Sequence, residues 1–323
     1  MRFSHRSVGE AESWRTKPSC SFPLSACDKE TNCKIVANYL CFRKVWGRIG
    51  GVKTLNGREL AEFIKQRQLQ AARGLAASGV QPRLAIIRTN PDPVVDSYMK
   101  LKQGYGDDIG VQVDVHTIEQ SEARPLIAEL NEDATVHGII VQIPLPDPTE
   151  TTDILNTVAA SKDVDGLAAS TEFDPATPQA ILWLLAGFNV DLRDKQIVIV
   201  GHGRLVGRPL ATMLQASGHS VEIVDKQTSP DELKASIQQA DVLITATGVP
   251  GLITADMVKP DAVIVDAGVA TDSNGLVGDV SPDVRELPDI TITPKQGGVG
   301  PLTVCALFEN VLKSAAKSQE VLS

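Results

Sequence analysis

The stretch QIVIVGHGRLVGRP, residues 196–209, decides the fold: four β-branched apolar residues run into Gly201, Gly203 and Gly207, with Pro209 just behind. A continuous apolar run of this kind reads as a strand buried on both faces, as in parallel sheets. Pro209 suits the start of a helix. The glycines read G-x-G-x-x-x-G in the turn between strand and helix, where a pyrophosphate can approach bare backbone. The helix N-terminus would offer it free N–H groups and a partial positive charge. A tight turn without a ligand remains the alternative for the glycines alone.

Working downstream, residues 220–224 predict the next strand, completing a β-loop-α-β unit, and Asp225 follows it 24 positions after Gly201. An acid there commonly binds the adenosine ribose and selects NAD. Lys226, His202 and Arg204 supply three potential cations that instead suit a 2′-phosphate and NADP. A solvated strand end is the third reading of Asp225. Further strands are expected at 242–245 and 263–266, and a last helix at 305–314.

Upstream, helices are expected around 60–69, 98–102, 125–130, 152–158 and 178–185, alternating with strands at 84–88, 110–115 and 138–143. Strict alternation with short connections demands parallel sheets covered by helices on both faces. The fold class is therefore α/β, with an N-terminal α/β domain followed by a Rossmann-type doubly wound parallel sheet. Two domains also suit a chain of 323 residues with 42% hydrophobic content.

No run of 18 apolar residues occurs, and the net charge of −9 argues against nucleic acid or an anionic membrane as a partner. Charge is uneven: residues 1–51 carry nine Lys or Arg against four Asp or Glu, leaving 22 against 36 for the rest. That leader holds four of the five cysteines, without C-x-x-C spacing or a nearby His pair, so no metal site is expected. Its lack of periodicity fits a disordered leader. Arg2, Arg6 and Arg15 suit an organellar targeting peptide while Glu10 and Glu12 do not, and translation beginning near Val52 is the other alternative.

Tyr98 and Lys102 are four apart, on one face of a helix. Lysine at such a place is ordinarily solvated, and tyrosine ordinarily packs. Gln142, however, interrupts the apolar run 138–143 just before a Pro-Leu-Pro stop, at the carboxyl end of a strand where parallel sheets hold ligands. Lys162, Asp163 and Asp165 add charge at the apparent domain boundary. Gly297, Gly298, Val299, Gly300 and Pro301 form a glycine-rich loop whose backbone can lie flat against a ring.

These segments resemble the bifunctional methylenetetrahydrofolate dehydrogenase/methenyltetrahydrofolate cyclohydrolase family. The resemblance runs over about 52–314 and rests on S-Y-x-x-x-K at 97–102, VHGIIVQIPLP at 136–146, KDVDGL at 162–167, V-G-x-x-x-x-V-G-x-P at 200–209 and GGVGPLT at 297–303. It implies oxidation of 5,10-methylenetetrahydrofolate by NADP, with NAD open, followed by hydrolysis to 10-formyltetrahydrofolate in one cleft. Lys102 would handle the proton, Tyr98 would stack on the folate, Gln142 would hydrogen-bond the lysine and Asp165 would hold the pterin edge. Val141 and Ile143, with residues 297–301, would line the substrate; Val269 would join Gly201, His202, Gly203, Arg204, Gly207, Asp225 and Lys226 around the cofactor.

The resemblance further implies a folate-binding catalytic domain over 52–170 plus 301–318, a Rossmann domain over 171–300, a cytoplasmic homodimer and tetrahydrofolate derivatives as ligands. The chain departs from the family pattern at several places: His202-Gly203 stands for Arg-Ser, Asp225-Lys226 for His-Ser, Ala176 for Cys and Lys295-Gln296 for Val-Pro. The segment between Leu167 and Phe173 is also shorter. A monofunctional NAD-dependent dehydrogenase and a non-catalytic folate or nucleotide binder are therefore the alternatives.

Overall fold

A computed structural model describes residues 53–90, 93–272 and 275–322; the leader expected over 1–51 lies outside them. The order begins β1 (Lys53–Thr54), α1 (Gly57–Ala77), β2 (Arg83–Arg88), α2 (Pro93–Ile109), β3 (Gln112–Thr117), α3 (Ala123–Glu132), β4 (Gly138–Gln142) and α4 (Thr151–Leu155). Strands β3-β2-β4 form a parallel sheet. Leu84, Ile86 and Ile140 face one side, while Ala85, Ile87, Ile139 and Val141 face the other with Ile127 and Ile154. The period of two has assigned each residue its layer.

The second half continues with α5 (Ala176–Gly187), β5 (Ile197–Val200), α6 (Gly207–Ala216), β6 (Val221–Val224), α7 (Pro230–Gln239), β7 (Val242–Thr245) and β8 (Val263–Asp266). It closes with β9 (Ala270–Asp272), β10 (Gly275–Val277), β11 (Thr291–Ile292) and α8 (Val299–Leu322). A six-stranded parallel sheet runs β1-β11-β8-β7-β5-β6, and β9 and β10 make an antiparallel pair. Ser229 and Glu232 form a capping box, and Pro230 opens α7, the arrangement that satisfies free N–H groups at a helix start.

One apolar core lies between the sheets, joining Leu84 and Ile86 to Ile197, Ile199 and Ile244 through residues of α1, α5 and α8. Phe308 of α8 is fully buried and its ring centroid lies 5.0 Å from that of Tyr105 on α2. The Tyr105 hydroxyl donates to Gln68 Oε1 at 2.7 Å, and Gln68 donates to the Cys305 carbonyl and to Glu309. This buried polar chain ties α1, α2 and α8 together.

Several expectations need correction. The first described residues, 53–54, do not lie in the small sheet: Lys53 and Thr54 pair with Thr291 and Ile292 on the edge of the large one. The last helix is longer than 305–314 and starts at Val299, since Pro301 fits the first turn, where no intrahelical N–H is needed. Val299, Gly300 and Pro301 are thus helical, and only Gly297 and Gly298 remain loop. The helix expected at 152–158 spans Thr151–Leu155, after a short turn at Pro148–Glu150 that Asp147 caps through the Thr149 N–H. Among the described residues no helix is long and apolar enough to cross a membrane.

Candidate functional site

Gln142 ends β4 and Arg88 ends its neighbour β2, the two being register partners. Beside them α2 presents Tyr98, 38% exposed, and one turn later Lys102, half-buried. Lys102 Nζ donates to Gln142 Oε1 at 3.0 Å, and Gln142 Nε2 donates to the Ile143 carbonyl at 3.0 Å. The amide is therefore held in the orientation that offers its oxygen to the lysine. The Ile143–Pro144 peptide is cis. Val141 is 2% exposed and packs with Ala85 and Ile87, so only its backbone is left for a ligand.

Asp165 reaches the same place from the segment after α4. Burial pushes its carboxyl above the ordinary range, with Lys102 pulling it down and Asp163 pushing it up. Burial likewise lowers Lys102, and the charge of Asp165 partly opposes this. The two groups are thus electrostatically coupled, and desolvation shifts each toward its neutral form. Lys102, Gln142 and Asp165 thus come together, and Tyr98 lies one turn before Lys102 on α2.

The scaffold of this segment was not legible in its charges. Asp163 is 3% exposed and accepts from the Ala168 N–H at 2.9 Å, a structural duty. Lys162 donates from Nζ to the carbonyls of Leu130, Asn131 and Asp133, capping the end of α3. Asn310, inside apolar α8, donates to the carbonyls of Val164 at 2.9 Å and Asp174 at 3.0 Å. Its signal in the sequence was the polar pair Glu309-Asn310 interrupting a hydrophobic helix. The Gly297 carbonyl accepts from the Arg58 N–H at 3.2 Å, pinning the glycine pair to the start of α1.

The second set of residues gathers at the carboxyl ends of β5, β6 and β8. Gly201 has φ of +106°, and a Cβ on Gly207 would overlap the Gly201 carbonyl oxygen, so the two glycines close the turn on one another. The first turn of α6 starts there, with its N–H groups directed at the turn. This cradle fits a pyrophosphate. Gly203 differs: a Cβ there would meet nothing within 4 Å. Neither space nor φ requires glycine at that position.

His202, Arg204 and Lys226 are exposed around this turn, and Val269 is 58% exposed. Asp225 Oδ1 accepts from the Gln227 N–H at 2.9 Å, and its own N–H donates to Thr228 Oγ1 at 3.1 Å. Its carboxylate thus caps the turn after β6, a role none of the three sequence readings named. Arg204 donates to Thr152 Oγ1 at 3.0 Å, bridging to α4. Lys295 and Gln296 are exposed, whereas Ala176 is buried.

Comparison with known proteins places both halves. Residues 55–165 match the tetrahydrofolate dehydrogenase/cyclohydrolase catalytic domain, and residues 175–319 match the NAD(P)-binding domain of the same family. The bifunctional protein FolD of Exiguobacterium sibiricum is 36% identical over 275 residues, covering 81% of this chain and 98% of that protein. The crystal structure of the bifunctional enzyme FolD from Campylobacter jejuni has a TM-score of 0.78 at 36% identity, covering 82% of this chain and 99% of that one. A Trypanosoma brucei methylenetetrahydrofolate dehydrogenase-cyclohydrolase solved with NADP and an inhibitor has a TM-score of 0.78 at 27% identity, covering 84% and 99%.

Proposed function

This chain belongs to the tetrahydrofolate dehydrogenase/cyclohydrolase family, and on that premise we propose that Lys102, Gln142, Asp165 and Tyr98 carry both of its reactions in one cleft. The chain is an enzyme that oxidises 5,10-methylenetetrahydrofolate to the methenyl form with a nicotinamide nucleotide and hydrolyses that product to 10-formyltetrahydrofolate. The observation that carries the assignment of residues is the 3.0 Å hydrogen bond from desolvated Lys102 to Gln142 at the carboxyl end of β4.

Each residue then has a duty. Asp165 holds the polar edge of the pterin, and Tyr98 stacks against its ring. The bound nucleotide supplies the hydride acceptor, and Gly201, Gly207 and the start of α6 hold its pyrophosphate. In hydrolysis, water adds to the methenyl carbon, and the neutral amine of Lys102 takes the proton that water loses. The same proton goes to N5 as the carbon–N5 bond breaks, and the hydroxyl proton of the addition intermediate passes to solvent, leaving the neutral formyl group on N10 and one proton released overall. A lysine lowered by burial is neutral often enough to act as this base near neutral pH. Gln142 keeps its nitrogen aimed throughout.

We assign NADP as the nucleotide, supported by the exposed cations His202, Arg204 and Lys226 and by the capping role of Asp225. The position of Asp225 at the end of β6 favours NAD as the second reading. Initial rates with methylenetetrahydrofolate and each nucleotide test both readings, with the methenyl product followed optically. Preference for NADP with subsequent hydrolysis is expected. Exclusive use of NAD supports the second reading, and folate binding without turnover defeats both. A homodimer through the nucleotide-binding half is part of the proposal, supported by β6 lying at the edge of its sheet; a monomeric mass in solution removes it.

A further inference from the structure

Two buried carboxylates that no step above uses tie together the strand ends beside the glycine loop. Asp266 closes β8 with its side chain 3% exposed, and Asp279, fully buried, follows β10. Asp266 Oδ1 accepts from the N–H groups of Gly268 at 3.2 Å and Asp279 at 3.0 Å and from Thr245 Oγ1 at 3.3 Å. Its Oδ2 accepts from the Val280 N–H at 3.3 Å and from Arg285 at 3.2 Å, and Arg285 also donates to the Thr293 carbonyl. Asp266 thus holds its own network in place, with a cation to balance its charge.

Asp279 faces the other way. Its Oδ2 accepts from the Thr247 N–H at 2.7 Å, in the loop after β7, while its Oδ1 has no partner among the described residues. The packing is reciprocal: a Cβ on Gly268 would overlap the Asp279 carboxylate, and a Cβ on Gly278 would overlap that of Asp266. Thr247 is the link to the glycine loop, because its Cγ2 lies 3.1 Å from where a Cβ on Gly201 would stand. Gly268, pressed by the Asp279 carboxylate, immediately precedes Val269. One side chain therefore sets two of the loops around the glycine turn.

We propose that Asp279 is a positioning residue of the dinucleotide site, holding the loop after β7 against Gly201 so that oxidation depends on it while hydrolysis does not. The inference rests on reading Gly201–Gly207 as the nucleotide cradle. Hydrolysis is spared because Lys102, Gln142 and Asp165 sit on α2, β4 and the segment after α4, and among the described residues neither Asp266 nor Asp279 accepts a hydrogen bond from any of them.

The test compares wild type with Asp279→Ala, Asp279→Leu and Asp279→Asn in two assays: NADP-dependent oxidation of methylenetetrahydrofolate, and hydrolysis of supplied methenyltetrahydrofolate without nucleotide. Ala and Leu should each raise the nucleotide KM about tenfold or more and lower kcat for oxidation, with hydrolysis within about twofold of wild type. Leu matches the bulk but lacks the acceptor. Asn restores an acceptor for Thr247 and should bring the nucleotide KM back to within about threefold. Parallel loss of both activities, including loss through failure to fold, overturns the proposal. So does a Leu variant with the nucleotide KM of wild type. A wild-type protein that hydrolyses but never oxidises would instead overturn the nucleotide reading itself.

Discussion

Arg204 donates from Nη2 to Thr152 Oγ1 at 3.0 Å, joining the glycine loop of one half to the start of α4 in the other. The same guanidinium is one of the cations expected to meet a 2′-phosphate, so the bridge and the phosphate compete for it.

Cofactor choice should expose this competition. An exposed hydrogen bond is worth only about 1 kcal/mol, so Thr152→Ala should lower the NADP KM by no more than about fivefold. Arg204→Ala should raise the NADP KM by about tenfold and the NAD KM far less, because only the 2′-phosphate needs the charge. Steady-state KM values for both nucleotides check this; equal changes for NAD and NADP would take Arg204 out of the phosphate site.

Lys102 makes the hydrolysis pH-dependent in a direction that follows from its surroundings. Its folded pKa lies below the ordinary 10.5, so hydrolysis should climb as pH rises through the lowered value. The charge of Asp165 raises Lys102, and Asp165→Asn removes it, so the limb should move to lower pH. The kcat profile of the two proteins reads the shift, and an unmoved or upward-moving limb contradicts the coupling. Lys102→Met should abolish hydrolysis while the protein stays folded.

Stability should register the same lysine. Between the folded pKa and 10.5 the unfolded chain binds the proton and the fold does not, so stability rises with pH in that window. Below the folded pKa the cost of burying the charge is fully present. Lys102→Met removes both effects, so it should be at least as stable as wild type on the acid side of the window and should gain less on the alkaline side. Denaturant midpoints across pH measure the difference.

The three glycines of the turn should not behave alike. Gly207→Ala forces a Cβ onto the Gly201 carbonyl and should abolish measurable nucleotide binding, whereas Gly203→Ala opens into free space and should change the nucleotide KM by less than about threefold. Titration with nucleotide checks both, and equal sensitivity at 203 and 207 would show that the packing argument fails.

Phe308 joins α8 to α2 at the centre of the core between the sheets. Phe308→Ala should cost about 3–5 kcal/mol through lost burial and the cavity left behind. Urea unfolding followed by circular dichroism provides the number, and a loss below about 1 kcal/mol would mean the interface can collapse to fill the space.

Much of the site was legible because local chemistry marks it. Tyr98 and Lys102 announce a shared helix face, and Gln142 stands out as an amide closing an apolar strand. Asn310 and Lys162 were harder to read. Their partners, the Val164 and Asp174 carbonyls and the end of α3, are backbone groups distant in sequence or carry no residue signature. Asp225 showed the converse, a residue type that suits a ribose but whose carboxylate caps its own turn.

The sequence by itself determined the α/β class, the strand-to-helix glycine turn and the shared helix face of Tyr98 and Lys102, since hydrophobic period, glycine spacing and helical spacing are local properties. Tertiary structure alone decided which glycines the packing requires, where Lys53 and Thr54 pair, and which carboxylates are tied to backbone N–H groups. Those outcomes depend on what approaches from elsewhere in the chain: a carbonyl at Gly207, a strand edge at β11, a loop N–H at Asp279. Burial and partners set the energy of a polar group, and neither is written at its own position.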